Sequence, residues 1–65
     1  MIKVRDMIRV LEANGWVWSR TRGSHRVYSH PVKPGIVVVP GKLDRDLPPG
    51  TERSIRRQAG LRWKP

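Results

Sequence analysis

The chain has 65 residues, no cysteine, and 14 Lys and Arg against five Asp and Glu, giving a formal charge of +9. A chain this short buries only about 60% of the surface its unfolded state exposes, which leaves room for one domain over residues 1–65 with a thin core. Disulfides and thiolate metal sites are excluded, no apolar run approaches the roughly 20 residues of a membrane span, and the first residues lack the apolar stretch of a secretion signal, so a cytoplasmic setting and a polyanionic partner are expected.

Val4, Met7, Ile8 and Leu11 recur at helical spacing while Arg5, Asp6, Arg9 and Glu12 fall elsewhere, which predicts an amphipathic helix over about residues 4–14. Asn14-Gly15 closes it, because Gly accepts the left-handed conformation just past a helix end, and Trp16 is placed to fold back onto Leu11. Residues 16–21 and 25–30 are rich in aromatic and β-branched side chains and are separated by Arg22-Gly23-Ser24, the pattern of a hairpin. Pro31, Pro34 and Gly35 mark a loop, Ile36–Val39 a third strand, and Pro40 its end. Residues 41–49 form a polar, exposed loop with Leu47 as its anchor. A second helix is predicted over about 50–59, with Thr51, Ile55 and Ala59 inward and Arg53, Arg56 and Arg57 outward; Gly60 stops it and Leu61 packs back.

These elements make an α+β fold of order α-β-β-β-α, a three-stranded antiparallel sheet covered on one face by two helices. The third strand is then a sheet edge that is apolar on both faces. Bare edges of that kind aggregate, so a partner, or a second copy of the chain in a homodimer, is expected to cover it.

The carboxylates Asp6, Glu12, Asp44, Asp46 and Glu52 show no metal-site or glycosidase spacing. Ser24 and His25 are adjacent on a strand and point to opposite faces, a poor arrangement for a nucleophile and its base. What remains is His25 at the mouth of the hairpin, with Arg20, Arg22 and Arg26 close by and Tyr28 and His30 on the same strand. That set suits cleavage of RNA, which carries its own nucleophile in the 2′-hydroxyl and needs a base and phosphate-holding cations but no cofactor. His25 is the candidate base, and Arg20, Arg22, Ser24, Arg26, Tyr28 and Lys42 are the candidate RNA contacts. On these residues alone, a plain turn-ending role for His25 stays open. His30, held extended by Pro31, reads as a strand end. Trp16 and Trp18 are expected in the core, whereas Trp63 is freer to stack on bases. The arginines of the second helix are either a solvated face or phosphate contacts.

Arg22-Gly23-Ser24-His25-Arg26-Val27-Tyr28-Ser29-His30-Pro31 resembles the signature of the HicA toxin family, small bacterial mRNA interferases. Residues 7–16 resemble that family's opening helix, residues 36–40 its third strand, and Leu47-Pro48-Pro49-Gly50-Thr51 with Ser54-Ile55 and Gln58-Ala59-Gly60-Leu61 its closing helix. The resemblance implies a fold similar to double-stranded-RNA-binding domains, metal-independent cleavage of mRNA with His25 at the catalytic position, arrest of translation, and neutralisation by a HicB-type antitoxin that covers His25. The chain departs from the pattern after the third strand, where relatives often carry a histidine and this chain has Gly41-Lys42. The proton donor to the leaving oxygen is then Lys42, Tyr28 or water. A non-catalytic RNA-binding module is the alternative reading, and a component of an acidic protein complex is a third.

Overall fold

The computed structural model describes residues 1–61, in the order α1 (Val4–Ala13), β1 (Val17–Arg22), β2 (His25–Ser29), β3 (Ile36–Val39) and α2 (Pro49–Gln58). This is the expected α-β-β-β-α arrangement, with β1 and α2 each displaced by one residue from the sequence-based bounds. The sheet is an antiparallel meander, β1-β2-β3. Arg22 faces His25 across a two-residue Gly23-Ser24 turn, and Tyr28 lies between Trp18 and Val37.

Both helices end in the same way. Past α1, the N–H of Gly15 donates to the carbonyl of Glu12 (3.1 Å) and that of Trp16 to Leu11 (3.0 Å). Past α2, Gly60 donates to Arg57 (3.1 Å) and Leu61 to Arg56 (2.7 Å). These are Schellman closures; both glycines have positive φ, +90° and +73°, which a side chain would oppose, and each delivers an apolar residue back onto the helix it follows. Trp16 is buried, and Leu61 packs partly buried against the core.

The core is a cluster of Val4, Met7, Ile8 and Leu11 from α1, Trp16, then Tyr28, Val37 and Val39 from the sheet, and Leu47, Ile55 and Ala59. Each fully buried side chain of this size contributes roughly 1.5–3 kcal/mol, so these few residues supply most of the driving force. Because side chains alternate along a strand, Tyr28, Val37 and Val39 define the helix-covered face. Trp18, expected in the core, is instead about half exposed, and β1 is solvated along its whole length. The reason is placement: the cluster draws on β2 and β3, and β1 overhangs it. The Trp18 indole N–H donates to Thr21 Oγ1 at 2.9 Å, which satisfies its polar atom without burial. Trp63 lies outside the described residues.

The β3 edge is partly covered by the chain itself. The Gln58 side chain of α2 reaches the strand and accepts the Val38 N–H, at 3.4 Å. Val37 and Val39 are buried and Val38 partly so, while Ile36 stays half exposed. His30 also does more than end a strand. Its Nδ1 accepts the backbone N–H groups of Val32 and Lys33, both at 3.0 Å, so Nε2 carries the proton and donates to the carbonyl of Asn14 at 3.0 Å. One imidazole thereby joins the β2–β3 loop to the end of α1, with its ring edge-on to Trp16 at 5.2 Å. Among the described residues, no helix is long and apolar enough to cross a membrane.

Candidate active site

The candidate site lies at the end of the sheet that carries the Gly23-Ser24 turn. The turn, the Pro40-Gly41 corner after β3, and the first residues of α1 and α2 meet there. The corner is held twice: the Gly41 N–H donates to the Ser24 carbonyl (3.1 Å), and Arg26 Nη1 donates to the Gly41 carbonyl (2.9 Å). The loop that follows is exposed, as its polarity predicts, yet it is firmly docked. Lys3 offers α1 no side-chain cap; instead the N–H groups of Val4 and Arg5 donate to the carbonyls of Arg45 (2.8 Å) and Leu43 (3.1 Å). These are orphan donors at a helix start, and here loop backbone satisfies them. The Leu47 N–H donates to the Ile2 carbonyl at 2.8 Å, and Lys3 Nζ lies 3.0 Å from Asp46 Oδ1. That pairing holds the Asp46 carboxyl below the ordinary aspartate range, first through the hydrogen bond and then through the lysine charge.

His25 opens β2 with its side chain exposed. The register puts Arg22 directly opposite His25 and Arg20 opposite Val27, so alternation places Arg20, Arg22, His25 and Val27 on the strand face opposite to that of Tyr28. His25 lines a groove of about 370 Å³ together with Val38, Pro40 and the α2 residues Gly50, Thr51, Ser54 and Gln58. Gln58 Nε2 donates to Ser54 Oγ (3.4 Å) while its Oε1 accepts from Val38, which fixes the wall of the groove facing His25. Ser24 and Lys42 line a neighbouring cavity that shares Pro40 and Thr51 with this groove.

The structure thus brings His25, Arg20 and Arg22 to one face and sets Ser24 and Lys42 just around the corner. Two expected RNA contacts are elsewhere. Tyr28 is a core residue, and burial pushes its hydroxyl pKa up, helped by the Glu12 carboxylate and opposed by Arg26. It follows Val27, which is also buried, so the strand shows no clean alternation from which its direction could be read. Arg26 shares the helix side of β2 with Tyr28 and commits its guanidinium to the Gly41 carbonyl. Of the α2 arginines, Arg56 is paired with Glu52 at 2.9 Å and largely shielded. Ser54 and Gln58, which the sequence marks only as part of the closing helix, also line the groove, and their i,i+4 spacing on α2 was the available signal. Among the described residues, no three His, Cys, Asp or Glu side chains are grouped as a metal site requires.

Comparison with curated proteins finds no match. A family model described as the HicA toxin of bacterial toxin-antitoxin systems matches residues 4–61, nearly the whole chain. The match spans both helices, all three strands and the groove that contains His25. The chain belongs to the HicA toxin family of bacterial toxin–antitoxin systems.

Proposed function

We propose that this toxin is a metal-independent endoribonuclease that cleaves mRNA in the cytoplasm, arrests translation, and is neutralised by a HicB-type antitoxin that covers His25. Family membership implies an antitoxin partner. The observation that carries the reading is the position of His25: exposed, at the mouth of a groove, with Arg22 opposite and Arg20 on the same face. A neutral imidazole there takes the 2′-hydroxyl proton, the 2′-oxygen bonds to phosphorus, and the bond to the 5′-oxygen breaks to leave a cyclic phosphate and a 5′-hydroxyl. Arg20 and Arg22 hold the phosphate and offset the charge that develops on its oxygens. Of the three donors considered for the leaving oxygen, burial removes Tyr28 and leaves Lys42 or water.

The test is gel analysis of RNA incubated with the purified chain in excess EDTA, beside a His25→Ala variant whose RNA binding is measured separately. A general base contributes about 10²–10⁴-fold, so the variant is expected to lose cleavage by that factor while binding persists. His25 is exposed, so the substitution leaves the core intact. Equal cleavage by both proteins removes His25 from the mechanism. No cleavage by either, with salt-sensitive binding retained, makes the chain a non-catalytic RNA-binding module.

A further inference from the structure

Beside the His25 groove, and sharing Pro40 and Thr51 with it, lies a second concavity of about 400 Å³. Its size falls within the ~300–1,000 Å³ of ordinary ligand pockets. Pro40, Leu47 and Pro48 give it apolar walls, and Lys42 and Arg45 are exposed at it. Apolar walls with cations beside them suit a ligand that is flat and apolar on its faces and anionic at its connection. A nucleotide within an RNA strand has that chemistry. The site is also preorganised, because the Gly41–Leu47 loop is tied by backbone hydrogen bonds to α1, to Ile2 and to Ser24, as described above.

We propose that this cavity is a nucleobase subsite, which receives one unpaired base adjacent to the phosphate held at His25 and so sets the sequence preference of cleavage. The assignment rests on the ribonuclease reading and deepens it. Contiguity carries it: Ser24 lines the cavity and His25 lines the groove, so a strand crossing Pro40 and Thr51 occupies both in consecutive nucleotides. A base paired in a duplex cannot enter a concavity, so the substrate class is single-stranded RNA. Lys42 and Arg45 contact the flanking phosphates, and the base edge meets Thr51 and Asp46. Asp46 lines the cavity as an exposed carboxylate, ionised near neutral pH with or without Lys3, and therefore only accepts hydrogen bonds, which favours bases that present a donor edge.

The experiment is a ¹H–¹⁵N NMR titration of the protein with uncleavable 2′-O-methyl tetranucleotides that differ at one position, each of the four bases in turn and an abasic residue. Amide shifts are expected at Gly41, Lys42, Arg45 and Thr51, with affinity that depends on the base and falls about fivefold to a hundredfold for the abasic strand. Asp46→Asn should change the order of base preference, and Lys3→Met, which breaks the same ion pair without touching the cavity lining, should leave that order unchanged. Equal binding of the abasic strand overturns the subsite even when the wild-type protein cleaves RNA. Base-dependent binding at these amides by a protein that cleaves nothing upholds the subsite and overturns the ribonuclease reading. Identical effects of Asp46→Asn and Lys3→Met overturn the role of Asp46 as a base contact.

Discussion

Gly15→Ala probes the corner where α1 turns into the sheet. Gly15 sits at φ +90°, and an alanine forced to positive φ carries about 1–2 kcal/mol of strain. Its Cβ would also lie 2.6 Å from His30 Nε2, with ring carbons at 3.3 and 3.4 Å. The ring has no free direction of retreat, since Nε2 is bonded to Asn14, Nδ1 accepts from Val32 and Lys33, and Trp16 stands edge-on to it. Displacing it forfeits hydrogen bonds worth about 1 kcal/mol each, so the expected total is about 3–5 kcal/mol. At roughly 0.05–0.15 kcal/mol per residue, the whole fold holds only about 3–10 kcal/mol. Gly15→Ala should therefore lower Tm by at least about 12 °C, given roughly 4–8 °C per kcal/mol for a domain of this size. Gly23→Ala is the control: φ there is +61°, but nothing lies within 4 Å of the added methyl, so only the backbone cost applies. Thermal melts followed by circular dichroism read both. Equal Tm losses would refute the account of His30, as would full additivity of Gly15→Ala with His30→Ala, because removing the ring should relieve the clash.

Tyr28 is the only tyrosine, so phenolate absorbance reports it alone. Its pKa is raised by burial, which makes its contribution to stability complete below the unfolded value near 10.0 and lost as pH climbs through the folded value. Phenolate should thus appear above pH 10 together with loss of structure, and its formation at pH 10 in a folded protein would contradict the core placement. Arg26→Ala should destabilise the fold by about 1–3 kcal/mol through loss of the Gly41 hydrogen bond. Arg22→Ala should leave Tm unchanged and lower the salt dependence of single-strand RNA binding by about 0.7 in log–log slope. If Arg26→Ala behaves like Arg22→Ala, then Arg26 contacts RNA rather than the corner.

Much of this architecture was legible because each helix announces its own limits. The α1 stripe of Val4, Met7, Ile8 and Leu11 is the buried set, and Gly15-Trp16 and Gly60-Leu61 close the two helices as glycine followed by an apolar residue suggests. What could not be read is which part of the sheet the helices cover. Composition marks Trp18 as a core residue, but only the packing of α2 beside β3 leaves β1 overhanging. The same packing accounts for part of the apolar β3 edge without a partner. At the candidate site, the grouping of His25, Arg20 and Arg22 on one strand face was legible from the hairpin pattern. Tyr28 and Arg26 were misplaced because apolar and basic residues occupy both faces of β2. The docking of the 41–47 loop was invisible because its partners are backbone groups of α1, which no side-chain pattern encodes.

The most direct test of the central claim uses one RNA with a mapped cleavage position, prepared with either a 2′-hydroxyl or a 2′-deoxy sugar there and incubated with the wild-type chain in EDTA. The ribose strand is expected to be cut to a cyclic phosphate and a 5′-hydroxyl, while the deoxy strand stays intact at that position although it still binds. Cleavage of the deoxy strand at the same bond would show that the nucleophile is not the RNA's own hydroxyl and would contradict the role given to His25.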